Sequence, residues 1–388
     1  MKKFKGALMG TLILAAVCAG GEMLCAGRAF AALPEAVMSK WNKLTEMLDE
    51  ATVLRGKRDR LPESSWLGAD KQKTNEKITK ILRNAQEILL SADAMKLVDR
   101  SEVIKKRLPE LYAEIEEYKN KRIGAPEKSY NPFTDTVADC NKKIAKAEKD
   151  IKRLNRELAD IRDKIAAELR SWGMKLTDQQ AEVLFSSVVG DSLLKNAVIF
   201  ENVKGVTAQI AELMAQNKAD TTVARKYYGM YVTLIDVLLD TQYGFIAKID
   251  KEWTPRVKAI SEGAGASLKE ARANLGRADF TREQKNIFRA NAESNELTVK
   301  AATQYSKLLA QQKASVEKCI RSIKRDREVA VNTYTTVQHI SDMDTVIHSG
   351  MQLFDVLATM QLPEIQIFDN SGVRKEFDEI TKRLQQGK

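Results

Sequence analysis

The residues best suited to metal or acid–base chemistry are few. His339 and His348 both lie in the run HISDMDTVIH, with Asp342 and Asp344 between them. A histidine and a carboxylate one helical turn apart can share a metal ion. The two histidines are nine residues apart, which turns a helix through about 900° and points them to opposite sides. One four-ligand site is therefore not expected, and neither a metal nor another cofactor is assigned.

A second group is denser. Tyr227, Tyr228, Tyr231, Tyr243 and Phe245 crowd one apolar stretch together with Asp236 and Asp240. At helical spacing Tyr227, Tyr231, Leu234, Leu238, Phe245 and Ile249 share a face, and Asp236, Asp240 and Tyr243 share roughly the opposite one. Tyr227, Tyr231, Asp236, Asp240 and Tyr243 are thus the candidate lining of a small-molecule pocket. The competing expectation is a core helix with aromatic packing on one side and a polar stripe on the other.

Cysteines form the third group. Cys18 and Cys25 lie in the first segment, which leaves Cys140 and Cys319 for the rest of the chain. Both fall on apolar stripes, so packed, unreactive thiols are the first expectation. A disulfide between Cys140 and Cys319 is the alternative. No G-x-S-x-G elbow, Walker loop, G-x-G-x-x-G run or EF-hand pattern is present. No catalytic residue is assigned.

The elements that must position these residues read as helices throughout. Charged residues make up 30 % of the 388, aromatics 6 %, and there are seven prolines. That mixture favours long helices over sheets. The clearest element is VADCNKKIAKAEKDIKRLNRELADIRDKI. Val137, Ile144, Ile151, Leu158, Ile165 and Trp172 occupy heptad position a. Cys140, Ala147, Leu154, Ile161 and Glu168 occupy d, with Leu169 beside the one charged member. Such a seam calls for a partner helix, from the same chain or from a second copy. A weaker seam follows Thr281, with Ala302, Leu309, Val316, Ile323, Ala330 and Val337 in one line.

The expected fold is all-α: an N-terminal helical bundle, then long coiled-coil-like helices in an elongated multi-helix bundle. The expected divisions are a signal peptide (1–31), an N-terminal bundle of three helices (32–122), a linker (123–133) and a coiled-coil helix (134–173). An apolar core with a long helix (174–362) and a C-terminal helix (363–388) complete the chain. Pro109 is expected to start or break a helix, because it has no N–H for the preceding turn.

The signal reading rests on Met1-Lys2-Lys3-Phe4-Lys5, the apolar run that follows and the Ala29-Phe30-Ala31 end. Cleavage after Ala31 would place the mature chain in the periplasm or otherwise outside the cytoplasm. The net charge is +10. In an exported chain that charge points to anionic envelope surfaces rather than nucleic acid. The candidate basic runs are Arg55–Arg58, Lys105–Arg107, Lys119–Arg122 and Lys324–Arg327. The leading expectation is a non-enzymatic scaffold or adaptor of the bacterial envelope. It would bind other envelope proteins through helical faces, with self-association through the 137–172 seam. A periplasmic ligand-binding or sensory bundle is second, and an envelope glycan-cleaving hydrolase third.

Overall fold

The computed structural model describes residues 33–66, 68–90, 93–130, 134–171, 177–216, 221–339, 353–357, 360, 363 and 373–386. The expected signal segment lies outside them, as do Trp172, Asp342, Asp344 and His348. Residues Leu33–Lys388 form one compact unit. It is an all-α, multi-helix fold with no strand among the described residues.

The heptad seam is where its spacing put it, on α5 (Val137–Ser171). Ile144, Ile151 and Ile165 are buried at a, and Cys140, Ala147, Leu154 and Ile161 at d. Leu169 is buried in place of Glu168, as its position beside the seam implied. Thr136 and Asp139 start the helix with reciprocal bonds: the Asp139 amide donates to Thr136 Oγ1 (3.2 Å) and the Thr136 amide to Asp139 Oδ2 (3.0 Å). The Thr136 hydroxyl, which also donates to Asp139 Oδ2 (2.7 Å), and then the Thr136 amide hold the Asp139 carboxyl below its ordinary pKa.

The seam's partner is α4 (Asp93–Gly124), which turns Val98, Ile104, Leu111 and Ile115 toward it. The seam is covered by this chain's own α4. Between α4 and α5 the Val137 amide donates to Pro126 O (3.1 Å), which closes the α4–α5 hairpin. Pro109 neither starts nor breaks a helix: α4 runs through it. Packing on α5 before and after the proline outweighs the one hydrogen bond that Lys105 O loses.

The N-terminal helices do not close a bundle of their own. After a short α1 (Glu35–Met38), α2 (Trp41–Arg58) and α3 (Lys71–Leu89) pair with each other and pack on α8 (Thr221–Lys248), while α4 leaves them for α5. The reason is the apolar surface of α8, which buries residues from Tyr228 through Leu239 on nearly every side and so requires neighbours all round. Asp70 caps α3 by accepting from the Lys73 amide (2.7 Å) and the Ser65 amide (3.1 Å). Between α5 and α8 lie α6 (Asp178–Ser186) and α7 (Gly190–Gln216), and α7 packs along α8.

α8 continues without a break through one π turn, Ile249–Trp253, into α9 (Thr254–Leu275). The Thr254 amide donates to Ile249 O, a wider loop than the α-helical one. Pro255 follows immediately and cannot donate, so the widened turn lets the chain pass the proline without ending the helix. α10 (Arg282–His339) has 58 residues and is about 87 Å long. It opens on a Thr281–Gln284 capping pair. It packs on α9 and on α8, and α11 (Arg374–Gln386) docks on α10 and α9. All six residues of its first seam line are buried.

Two glycines show how tight these contacts are. A Cβ on Gly229 of α8 would sit 2.4 Å from Thr52 Cγ2 on α2 and 3.2 Å from the Tyr334 ring on α10. Gly263 in α9 has open space. Gly229→Ala is therefore expected to lose about 1–3 kcal/mol. Gly263→Ala is expected to gain about 0.5–1 kcal/mol from helix propensity alone. Urea unfolding of both variants reads the opposite signs. Equal shifts would mean that α2 and α8 do not approach through Gly229.

Candidate functional site

The Tyr/Asp stretch of α8 has two faces with different neighbours. On one face Tyr228 and Tyr231 are buried against Phe354, with ring centroids 5.9 and 4.8 Å away. The Tyr231 hydroxyl donates to Leu353 O at 2.5 Å. Burial pushes the Tyr228 phenol up to about 12 and raises Tyr231 as well, so neither is an acid–base group near neutrality. Tyr227 is half-buried against the same core.

On the other face Asp236 is the centre of an ion triad. Arg55 of α2 pairs with Asp236 Oδ2, and Arg327 Nε of α10 donates to Asp236 Oδ1 at 2.5 Å. Arg55 Nη1 also donates to Thr233 Oγ1 (2.8 Å), and the Thr233 and Thr52 hydroxyls lie 3.0 Å apart. Arg55 and Asp236 side chains are each only 12 % exposed. Burial lowers the Arg55 pKa, with Asp236 opposing. Arg327 is more exposed. Against the desolvation of its own burial, the hydrogen bond and charge of Asp236 raise its pKa. The triad thus ties α2, α8 and α10 together at one level.

Asp240 is not part of it. Asp240 Oδ2 accepts from Gln86 Nε2 of α3 at 3.0 Å, and the same amide reaches Thr241 Oγ1 at 3.1 Å. Tyr243 is exposed, with Lys324 Nζ 5.5 Å from its ring centre. Of the five expected pocket residues, Tyr227 and Tyr231 belong to the aromatic face and the other three join α8 to α2, α3 and α10. The five residues are thus divided between two faces of α8, and Asp236, Asp240 and Tyr243 meet side chains of other helices.

Cys140 and Cys319 are both free thiols, Cys140 buried and Cys319 half-buried, so the alternative of a disulfide between them is not formed. Burial pushes the Cys319 thiol up to about 11, away from the thiolate that nucleophilic chemistry uses. Cys140 sits in the α4–α5 hairpin and Cys319 on α10, which pack on different partners. His339 is the exposed last residue of α10. Among the described residues no group of three or more His, Cys, Asp or Glu could hold a metal.

Sequence reasoning missed Arg55 and Arg327 as functional members of the Asp236 site. A signal existed. Arg55 continues the line Leu44, Leu48, Thr52, and Arg327 lies between Ile323 and Ala330, all of them buried. A guanidinium at a buried stripe position requires a carboxylate facing it.

A second clasp lies at Tyr305 of α10. Its hydroxyl accepts from the Val188 amide (2.7 Å) and lies 3.1 Å from Thr381 Oγ1 of α11. Its ring stacks on Phe377, with centroids 4.2 Å apart. Beside this clasp a cleft of about 1050 Å³ opens between α4, α5, α6 and α11. Leu108, Pro109, Leu158 and Phe185 form apolar wall, with Lys105, Arg162 and Arg383 around them. Pro109 has no N–H, so Lys105 O in this wall lacks the i+4 donor it would otherwise have in its own helix.

Comparison with known protein families, curated proteins and solved structures finds no match to this chain. Function therefore rests on the geometry above.

Proposed function

We propose that this chain is an exported, non-enzymatic adaptor of the bacterial envelope that presents long helical faces to other proteins. The observation that carries this reading is the pair of long hairpins, α4–α5 and α9–α10. Each buries a narrow apolar line on its inner side and exposes charged residues along the rest. The Asp236 triad and the Tyr305 clasp fasten the helices that carry them. A stiff helix holds two contacts at a set distance without ordering a flexible tether on binding, which lowers the entropy lost in association. Export is supported by the charge and apolar pattern of residues 1–31. No described helix is long and apolar enough to cross a membrane.

The test is fractionation and photo-crosslinking of the full chain in its native cell. The chain is expected outside the cytoplasm. A crosslinker at exposed Ile287 of α10 is expected to capture a discrete protein, and one at buried Val316 to capture none. Cytoplasmic recovery, or equal capture from both positions, overturns the reading. A ligand-binding role is the second reading, favoured by the cleft beside Tyr305. A metabolite from the same cells that raises the melting temperature, and loses that effect in Phe185→Trp, would support it instead.

A further inference from the structure

We infer that the free end of the α4–α5 hairpin is a docking surface for an anionic lipid bilayer. This deepens the adaptor reading by naming what one of its hairpins touches.

The four basic runs of the sequence have different fates in the fold. Arg55 and Arg327 are spent on Asp236. Lys105 pairs with Asp191 at 2.9 Å, and Arg107 with Glu110 and Glu114. Lys324 lies over the Tyr243 ring. Lys57, Lys106 and Arg325 of the other runs are exposed as well, so it is what surrounds the run at the hairpin end that sets it apart. Lys119 and Lys121 hold Glu116 and Glu117 there, and Arg122 donates to the neutral Asn141 Oδ1 at 2.9 Å.

The first turns of α5 add to that charge. Lys142, Lys146 and Lys149 follow at i, i+4 and i+7, which sets them in one line. The line is exposed and lies opposite the buried Ile144 and Ile151. Lys128 is exposed in the turn itself. Among the described residues none of these four lysines has a carboxylate within ion-pair distance. Of the acids in the same stretch, Asp135 holds Lys143 (2.7 Å) and Asp150 lies 3.4 Å from Arg153, while Asp139, which accepts from Thr136, keeps its charge beside Lys142. Glu127 and Glu148 are exposed and offset part of the charge without reversing it.

Charge alone would suit any anion, a solvated face included. The second observation is apolar. Ile123 is 86 % exposed at the end of α4, and Tyr130 is fully exposed in the turn. The two large side chains sit in water at the one place where the basic line ends. An aliphatic and a phenolic side chain beside unpaired lysines match a bilayer interface. There the ring and the isoleucine enter below the headgroups while ammonium groups meet phosphates. An acidic protein would match the lysines but give no reason for a bare Ile123.

The experiment is co-sedimentation of the purified full chain with vesicles of phosphatidylcholine, alone or with about a third phosphatidylglycerol. Wild type and variants carry the same residues 1–31, so differences between them read the hairpin. Binding is expected only to the anionic vesicles and is expected to fall with salt. Lys142→Gln/Lys146→Gln/Lys149→Gln is expected to weaken it about 100-fold, at about 1 kcal/mol per lysine near the surface. Ile123→Ser/Tyr130→Ser is expected to weaken it while leaving the salt dependence unchanged. All five side chains are exposed, so unchanged thermal unfolding confirms that both variants fold. Equal binding to neutral vesicles, or no loss in either variant, overturns the proposal. So does competition by poly-glutamate with Ile123→Ser/Tyr130→Ser indifferent, which would assign the surface to an acidic protein. The crosslink from Ile287 lies on the other hairpin, so either result can fail without the other.

Discussion

Asp236→Ala is expected to destabilise the chain by about 3–5 kcal/mol, the cost of removing one partner from a buried ion set. The substitution leaves Arg55 and Arg327 facing each other, and Arg55 is 12 % exposed. Neither can lose its proton to escape, since guanidinium stays charged at any working pH. Thr233 Oγ1 keeps its bond from Arg55 (2.8 Å) but cannot neutralise it. Denaturant unfolding checks the size of the effect, with an unchanged slope showing that the unfolded reference is the same. A companion variant separates a lost attraction from a stranded charge. Arg55→Met/Asp236→Leu/Arg327→Leu replaces the whole set with apolar groups and is expected to recover most of the loss. A loss below about 1 kcal/mol for Asp236→Ala would mean that the triad is a solvated surface set of the usual small worth. The same variant bears on the ligand reading: a stability loss with no ligand effect is what a fastening predicts.

Tyr305→Ala is expected to cost about 3–5 kcal/mol, the range for emptying a large buried aromatic site. The ring fills space against Phe377, and its hydroxyl takes the Val188 amide at 2.7 Å. Tyr305→Phe keeps the ring and removes only the acceptor. It is expected to cost about 1–3 kcal/mol, because the Val188 amide is then left without its partner. The two variants should also differ in where the damage falls. Tyr305→Phe leaves α11 docked through the Phe377 stack, whereas Tyr305→Ala removes both contacts. Hydrogen exchange across residues 374–386 should rise strongly in the alanine variant and little in the phenylalanine one. Equal exchange in both would mean that α11 is held by its other contacts, such as Arg256 Nη1 donating to Leu384 O at 2.8 Å.

Much of the fold was legible because helices write themselves at short range. The α5 seam, its replacement of Glu168 by Leu169, and the α10 line from Ala302 to Val337 are spacing rules carried by residues three or four apart. Pro109 was misleading for the opposite reason. A proline's local effect is unfavourable there, and long-range packing on each side overrides it.

The candidate site was legible only in part. That Tyr231 and Asp236 face opposite ways followed from the wheel. That Asp236 meets Arg55 and Arg327 did not, since those residues lie 181 and 91 positions away. The number of faces an element buries can be read from its own side chains. Which face it meets cannot, because stripes of Leu, Ile, Val and Ala are nearly interchangeable as partners. The seam of α5 would fit α4, α10 or a second copy about equally by composition.

By itself, then, the sequence determined where helices begin, which side of each is buried and how much charge the chain carries. Tertiary structure alone decided that α4 takes the α5 seam and that α2 and α3 go to α8. It also decided that Arg55 and Arg327, from two of the basic runs, turn inward onto Asp236. The physical reason is one of range. Backbone hydrogen bonds and caps are satisfied within a turn or two, whereas a buried charge or an apolar stripe is satisfied only by whatever the rest of the chain brings to it.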